Sequence, residues 1–283
     1  PMQIVHTTDA LRQALAGRGR PGFVPTMGNL HEGHLSLVRH AQTLADVTVV
    51  SIFVNRLQFL PHEDFDSYPR TFESDCAKLA SLGCDVLFAP KEVDLYPQPQ
   101  TFKVHPDPAL ADILEGQFRP GFFTGVSTVV MKLFHCVFGH SVGGVAVFGK
   151  KDYQQLLVIR HMVQQFAMPI EIVGVDTQRA EDGLALSSRN GYLEPEQRNQ
   201  ARALYAQLQW LAEQALQGTS ALAELEAQAM AQLSALGWEP DYLTVRRRND
   251  LLPPAPADIQ ASSLVALGAA RLGNTRLIDN LEF

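Results

Sequence analysis

Four apolar, β-branched runs recur along the first 176 residues: VTVVSIFVN (47–55), CDVLFAP (84–90), GVAVFG (144–149) and IEIVGV (170–175). Runs of this length and composition read as strands buried on both faces. Around and between them lie HLSLVRHAQTLA (34–45), TFESDCAKLASLG (71–83), GVSTVVMKLFHCVFG (125–139) and KDYQQLLVIRHMVQQF (151–166). Each places apolar residues at spacings of three and four, the helical period. Strand alternating with helix commits a chain to a parallel sheet with helices on both faces, an α/β doubly wound, Rossmann-like architecture. Ligands of such sheets sit at the carboxyl ends of the strands.

The pattern changes after about residue 176. Two helical stretches follow, 194–218 and 219–237, separated by Gly218, with Thr219 and Ser220 as cap candidates. DYLTVRRR (241–248) and SSLVALGAARLGNTRLIDN (262–280) then read as short strands, with the proline-rich LLPPAPAD (251–258) as a loop between them. The expectation is a first domain over 1–176 and a smaller α+β domain over 177–283. Arg246, Arg247 and Arg248 read as a solvated strand edge.

With 46% hydrophobic residues the chain is globular, and a formal net charge of −7 argues against nucleic acid as a bulk partner. No apolar run is long enough to span a bilayer, so no membrane partner is expected, and no basic-then-apolar leader opens the chain. Cys76, Cys84 and Cys136 show no knuckle spacing and read as small buried thiols in a reducing compartment. A cytoplasmic protein is expected.

The stretch PTMGNLHEGHLSLV (25–38) carries the chemistry. GFV (22–24) reads as a strand that Pro25 and Gly28 break. Leu35, Val38, Ala41, Leu44 and Ala45 mark the buried face of the helix that follows. His34 then lies in the first helical turn and His31 just before it. The unpaired N–H groups and positive dipole end at a helix start favour an anion, two imidazoles add donors, and Gly33 leaves room for close approach. A metal site is the competing reading, but the spacing is one residue short of HExxH and no third ligand is evident. A structural histidine pair is the third.

H-x-G-H after a strand resembles the signature of the nucleotidyltransferase superfamily, which also carries a lysine- or serine-rich loop late in its Rossmann-like domain. LALSSRN (184–190) is the candidate here. Taken with SIFVNRLQF, YPRTFESD, RPGFFTGVSTVV, FGKKDYQQL, DGLALSSRNGYL and RLIDN, in unbroken order from about residue 3 to 280, the chain resembles the pantothenate synthetase (pantoate–β-alanine ligase) family. That resemblance implies ATP-dependent condensation of (R)-pantoate with β-alanine through an acyl-adenylate. It also implies a homodimer, and a small second domain over the cleft of an ATP- and pantoate-binding first domain.

Residue by residue, the resemblance implies that His31 and His34 contact the phosphates, with His34 as proton donor, and that Lys151 meets the phosphates too. Asp152 would lie at the ribose, and Ser187, Ser188 and Arg189 would hold the leaving pyrophosphate. Further ATP contacts are implied at Met27, Gly28, Asn29, Leu30, Glu32, Gly33, Gly149, Lys150, Gln178 and Leu186. Gln58 and Gln155 match the pantoate glutamines, Asn55 supports them, and Met27 packs at the pantoate–ATP junction. Magnesium is expected as MgATP, with Asp75 assisting through the phosphates, and no tightly bound organic cofactor is implied.

Some positions depart from the family pattern. Arg56 stands where proline is usual, leaving its loop freer and adding a charge near the pantoate end of the strand. Phe122 stands where histidine is common, and Lys150 replaces a common glutamate, raising local positive charge. The stretch 139–149 lacks the usual proline–aspartate. Two other functions fit the histidine motif alone: a phosphopantetheine adenylyltransferase-type enzyme, and a nucleotide sensor that retains the fold. The chain length and KKDYQQL count against the first, and the joint presence of His31, His34, Lys151, Ser188 and Arg189 against the second.

Overall fold

The computed structural model describes residues 1–283. Strands β1 (Gln3–Val5), β2 (Pro21–Thr26), β3 (Val47–Ile52), β4 (Val86–Phe88), β5 (Gly144–Gly149) and β6 (Ile170–Val175) form one sheet. Their order is β1-β4-β3-β2-β5-β6, and every pair is parallel. From β2 the chain passes to β3 on one side and later returns to β5 on the other. This reversal is the topological switch point at which open α/β sheets hold ligands.

Alternation along β2 explains how the sheet is covered. Val24 points into a cluster with Val50, Leu87, Val145 and Val147, closed by Val38 and Ala41 of helix Glu32–Leu44 and Leu79 of helix Phe72–Ser81. Phe23 meets Phe134 and Phe138 of helix Phe122–Phe138 edge to face, with centroids 6.2 and 6.1 Å apart. Successive residues of a strand thus supply both layers.

Three local expectations are corrected. Pro25 does not end β2, because it pairs with Ser51 of β3. Thr26 O accepts from Phe53 N, so its neighbour's missing N–H faces β5, where the ladder has already stopped at Phe23. Leu44 is exposed rather than on the buried face. The stretch 194–218 is two helices, Pro195–Gln200 and Ala203–Gln217. Ala201 and Arg202 keep right-handed helical dihedrals there, so the hydrogen-bond ladder loosens without a turn.

The chain divides into two compact units, one of residues 1–150 and 158–176, the other of 151–157 and 177–283. A single cut after residue 176 would leave 151–157 with the first unit. Hydrogen bonds tie it to the second: Asn280 Nδ2 donates to Lys151 O (2.9 Å) and Tyr153 OH to Glu282 Oε2 (2.9 Å).

In the second unit β7 (Glu239–Arg247), β8 (Leu264–Leu272) and β9 (Thr275–Glu282) form an antiparallel sheet in the order β7-β8-β9. SSLVALGAARLGNTRLIDN is therefore a hairpin, turned at Gly273 with φ +61°. Gly218 ends its helix in the left-handed conformation, but the next helix, Leu222–Ala235, starts at Ala221 without a side-chain cap, so Thr219 and Ser220 fall short of the role expected of them. Nor is the arginine run a free edge. Arg246 donates to Leu251 O, Arg247 pairs with Asp250, and Arg248 donates to Leu264 O and Phe283 O. These bonds fasten the 248–263 connection and the C-terminus to the edge strand.

No helix is long and apolar enough to cross a membrane. The three cysteines are free; Cys84 and Cys136 are buried and Cys76 half-buried, and burial pushes the Cys84 thiol up to about 12.

A largely buried polar tie in the second unit joins Arg179 to Asp279 by two bonds of 2.7 and 2.8 Å. Burial opposes the guanidinium charge, but the Asp279 hydrogen bonds and charge outweigh it and lift the Arg179 pKa. The guanidinium also lies 3.7 Å from the centre of the Tyr205 ring and donates to Gly183 O and Asn280 O. Asp279→Ala strands that cation. The expected loss is about 3 kcal/mol, the low end for a broken buried pair, because Arg179 keeps some contact with water. Urea unfolding followed by circular dichroism measures it.

Candidate active site

The loop after β2 is built by hydrogen bonds. Thr26 Oγ1 donates to Ser51 O (2.7 Å) and accepts from Gly28 N (3.1 Å). Gly28 has φ +80°, and a Cβ there would lie 3.1 Å from both Asp75 Oδ2 and Ile52 Cγ2. Asn29 follows with φ +51°. Its N–H donates to Asp75 Oδ2 and that of Leu30 to Asp75 Oδ1, both at 2.9 Å. Thr71 Oγ1 adds a bond to Asp75 Oδ1 (3.2 Å), and Lys78 Nζ donates to Leu30 O (2.8 Å).

Asp75 is buried and both its oxygens accept bonds from this loop. That geometry anchors the loop to helix Phe72–Ser81. No group of three or more His, Cys, Asp or Glu side chains is arranged to hold a metal ion.

The loop delivers His31 to the N-cap of helix Glu32–Leu44 and His34 to its first turn. Gly33 N donates to His31 Nδ1 (3.0 Å) and His31 N to His34 Nδ1 (3.1 Å). The ring centroids are 4.1 Å apart. Two of the helix's first N–H groups are thus satisfied by imidazoles, where the sequence reading left them for an anion. Each Nδ1 is an acceptor, so in the neutral ring the proton sits on Nε2. The pair presents Nε2–H donors at the positive end of a helix dipole. Glu32 is exposed and pairs with Arg39.

Asn55 and Gln58 lie just past β3, the neighbour of β2. Asn55 Nδ2 donates to Gln58 Oε1 (3.0 Å) and Gly125 O (3.1 Å), and Asn55 Oδ1 accepts from Tyr96 OH (3.1 Å). Gly125 lets helix Phe122–Phe138 lie flush on the turn Arg56–Gln58, since a Cβ there would meet Leu57 O at 2.3 Å. Gly149 and Lys150 close the set at the end of β5. The carboxyl ends of three adjacent strands, β3, β2 and β5, therefore carry Asn55 and Gln58, the loop Met27–His34, and Gly149 with Lys150.

The second unit carries the other expected residues. Lys151, Asp152 and Gln155 are on the segment tied to β9; Asp152 is exposed, the other two half-buried. Ser187 caps the short turn Ser188–Tyr192, its Oγ accepting from Arg189 N (3.2 Å). Leu186 N donates to Gln178 O (3.0 Å), which holds this serine loop against 177–179. Ser187, Ser188 and Arg189 are all half-buried.

The sequence profile of the pantoate–β-alanine ligase family matches residues 3–282. The chain is 68% identical over 283 residues to a pantothenate synthetase of Paracidovorax citrulli, covering all of both chains. Its fold matches the crystal structure of the pantothenate synthetase of Thermus thermophilus with a TM-score of 0.91, at 46% identity and 99% coverage of each chain.

The chain belongs to the pantoate–β-alanine ligase family.

A further similar structure is the pantoate–β-alanine ligase of Francisella tularensis, solved with β-γ ATP and β-alanine. It has a TM-score of 0.82 and 33% identity over 100% of this chain and 98% of that one. Within this pantoate–β-alanine ligase the departures at Arg56, Phe122 and Lys150 each have a local partner. Arg56 Nε bonds Glu92 Oε1 (3.0 Å) and its guanidinium lies 4.1 Å from the centre of the Phe65 ring. Phe122 is buried under the Arg119 guanidinium (3.9 Å), which also grips Glu63 through two bonds. Lys150 pairs with Asp176 (3.1 Å).

Sequence reasoning missed Gly125, Thr71, Lys78 and Tyr96. Only Gly125 left a trace, as a glycine inside a helical pattern, a position that asks for a packing reason. Gly125→Ala is expected to push the Gln58 turn away, at about 1–3 kcal/mol of overpacking. Asp75→Asn sets an amide N–H against a backbone N–H, at about 1–3 kcal/mol. Thermal unfolding of both variants, alongside turnover, checks these losses, and Asp75→Asn should impair turnover more than stability.

Proposed function

We infer that this chain condenses (R)-pantoate with β-alanine at the expense of ATP, in two steps. A pantoate carboxylate oxygen attacks the α-phosphorus of ATP, the bond to the β-phosphate oxygen breaks, and pantoyl adenylate and pyrophosphate form. The β-alanine amine then attacks the acyl carbon, loses a proton, and AMP leaves. A free carboxylate would resist the amine; adenylation gives it a leaving group.

The observation that carries this reading is the histidine pair, locked by backbone donors into a form that offers Nε2–H. In-line transfer at phosphorus calls chiefly for positioning and charge stabilisation. His34 donates to the phosphate oxygens as charge moves onto the leaving group, and His31 assists it. Lys151 contributes a point charge, and Ser187, Ser188 and Arg189 hold the departing pyrophosphate, arginine through its fixed fork of donors. Asp152 bonds the ribose. Met27, Gly28, Asn29, Leu30, Glu32, Gly33, Gly149, Lys150, Gln178 and Leu186 complete the ATP contacts. Gln58 and Gln155 read the acid's oxygens, with Met27 shielding the adenylate from water. Magnesium enters with ATP as MgATP, a substrate. The free thiols suit a reducing cytoplasm, and the family resemblance supports a homodimer.

The test is product analysis: AMP should form only with ATP, pantoate and β-alanine together, and pyrophosphate with ATP and pantoate in a single turnover. AMP that appears without β-alanine at the full rate would contradict the second step. His34→Ala should lower adenylate formation about a hundred- to a thousand-fold, the usual cost of one preorganised donor, with the circular dichroism spectrum unchanged. Rapid-quench measurement of pyrophosphate checks it.

A further inference from the structure

We propose that Tyr96 is a positioning residue which, acting through Asn55, turns the Gln58 amide so that it meets the acid substrate with N–H donors. The proposal rests on the assignment of Gln58 to pantoate.

An amide side chain has two ends of similar shape and opposite polarity, and only its partners decide which end faces where. The Gly125 carbonyl cannot donate, so the Asn55 atom 3.1 Å from it is the amide nitrogen. The same nitrogen is 3.0 Å from the Gln58 amide, which must answer with its oxygen. Asn55 is 1% exposed, so water cannot relax either choice. Its oxygen then faces Tyr96 OH at 3.1 Å, and the hydroxyl has to donate. Burial, with the nearby Glu92 charge, raises the Tyr96 pKa and keeps that proton in place. The ring is held by Phe53 at 5.8 Å and by Lys132 Nζ, 4.7 Å from its centre.

The relay commits Gln58 Oε1 to Asn55. The Gln58 Nε2 group, with two N–H bonds, has no protein acceptor. A pantoate carboxylate is acceptor only, and its hydroxyl oxygens accept as well, so this polarity matches the acid. Tyr96 touches no substrate; its hydroxyl holds the first link of the chain in register.

Three substitutions test the relay by steady-state kinetics, with pantoate and ATP varied separately. Gln58→Ala should raise the pantoate KM roughly tenfold or more while the ATP KM stays within about twofold. Tyr96→Phe keeps the ring, removes the donor, and should raise the pantoate KM roughly three- to tenfold. The same substitution in the Gln58→Ala background should add nothing, because the relay then has no end point. Asn55→Asp sets an oxygen against both Gly125 O and Gln58 Oε1. Gln58 must then turn its carbonyl toward the substrate, and the pantoate KM should rise roughly ten- to a hundredfold.

A merely structural role for Tyr96 would lower stability and cost the same in both backgrounds; that result overturns the relay. So would a silent Tyr96→Phe beside a costly Gln58→Ala. If Gln58→Ala leaves the pantoate KM unchanged, the substrate assignment itself falls and the relay falls with it. A pantoate-specific rise in KM that disappears when Gln58 is absent supports the relay.

Discussion

A carboxylate cut off from water has to be solvated by the protein, and at Asp75 the solvation comes from the backbone of one loop. The N–H groups of Asn29 and Leu30 reach its two oxygens, which fixes a chain path that no regular element would take. Gly28 and Asn29 adopt positive φ to make those bonds, and Gly28 has no side chain to strike the carboxylate. His31 then arrives at a helix N-cap with its ring turned back on the helix. The burial of one aspartate thus decides where two imidazoles stand. A buried charge solvated this way is costly to remove, because each donor it satisfies would be left unpaired.

The same logic sets the polarity of the reacting surface. Imidazoles and amides are chemically ambiguous: each can donate or accept at either end. In this protein the ambiguity is resolved by backbone groups that have only one role. The Gly33 and His31 N–H groups can only donate, so both Nδ1 atoms accept and both Nε2 atoms donate. The Gly125 carbonyl can only accept, so Asn55 donates to it and Gln58 meets the same amide with its oxygen. ATP and pantoate are rich in acceptor oxygens, the chemical complement of such donors.

The alternation of apolar runs and helical spacings made the parallel sheet legible, because burial on two faces leaves a periodic trace. The histidine loop was legible for a similar reason: residues three apart at a strand–helix junction have a local geometry. What could not be read depends on contacts between distant segments. Asp75 is 45 residues from Leu30, and nothing in YPRTFESD says that its carboxylate is spent on a backbone. The 151–157 segment lies inside a helical pattern that continues to residue 165, so periodicity gives no sign that its contacts belong with β9. Pro25 looked like a strand breaker because its missing N–H is visible in sequence, while the side of the sheet it faces is not. The arginines 246–248 looked solvated because alternation applies within a strand, whereas their partners are distant backbone and side-chain groups in the 250–251 loop, at the start of β8 and at the C-terminus.

Electrostatics explains how the departures from the family pattern coexist with the site. An unpaired cation near an anion pocket would act over about 10 Å at 0.1 M salt. Arg56 and Glu92 form an exposed pair instead, worth little to stability, but a pair's field falls off faster than that of a lone charge. Lys150 is treated the same way by Asp176. At 122, an imidazole would stand face to face with the Arg119 guanidinium, and its protonation would set two cations together. A phenyl ring offers the guanidinium its negative face at every pH. Arg119 in turn donates to Gln58 O (3.5 Å) while gripping Glu63, so the turn that carries Gln58 is braced by a charge already balanced. Substitution at these positions therefore alters the surroundings of the strand ends and leaves the hydrogen bonds of His31, His34 and Asn55 with Gln58 in place.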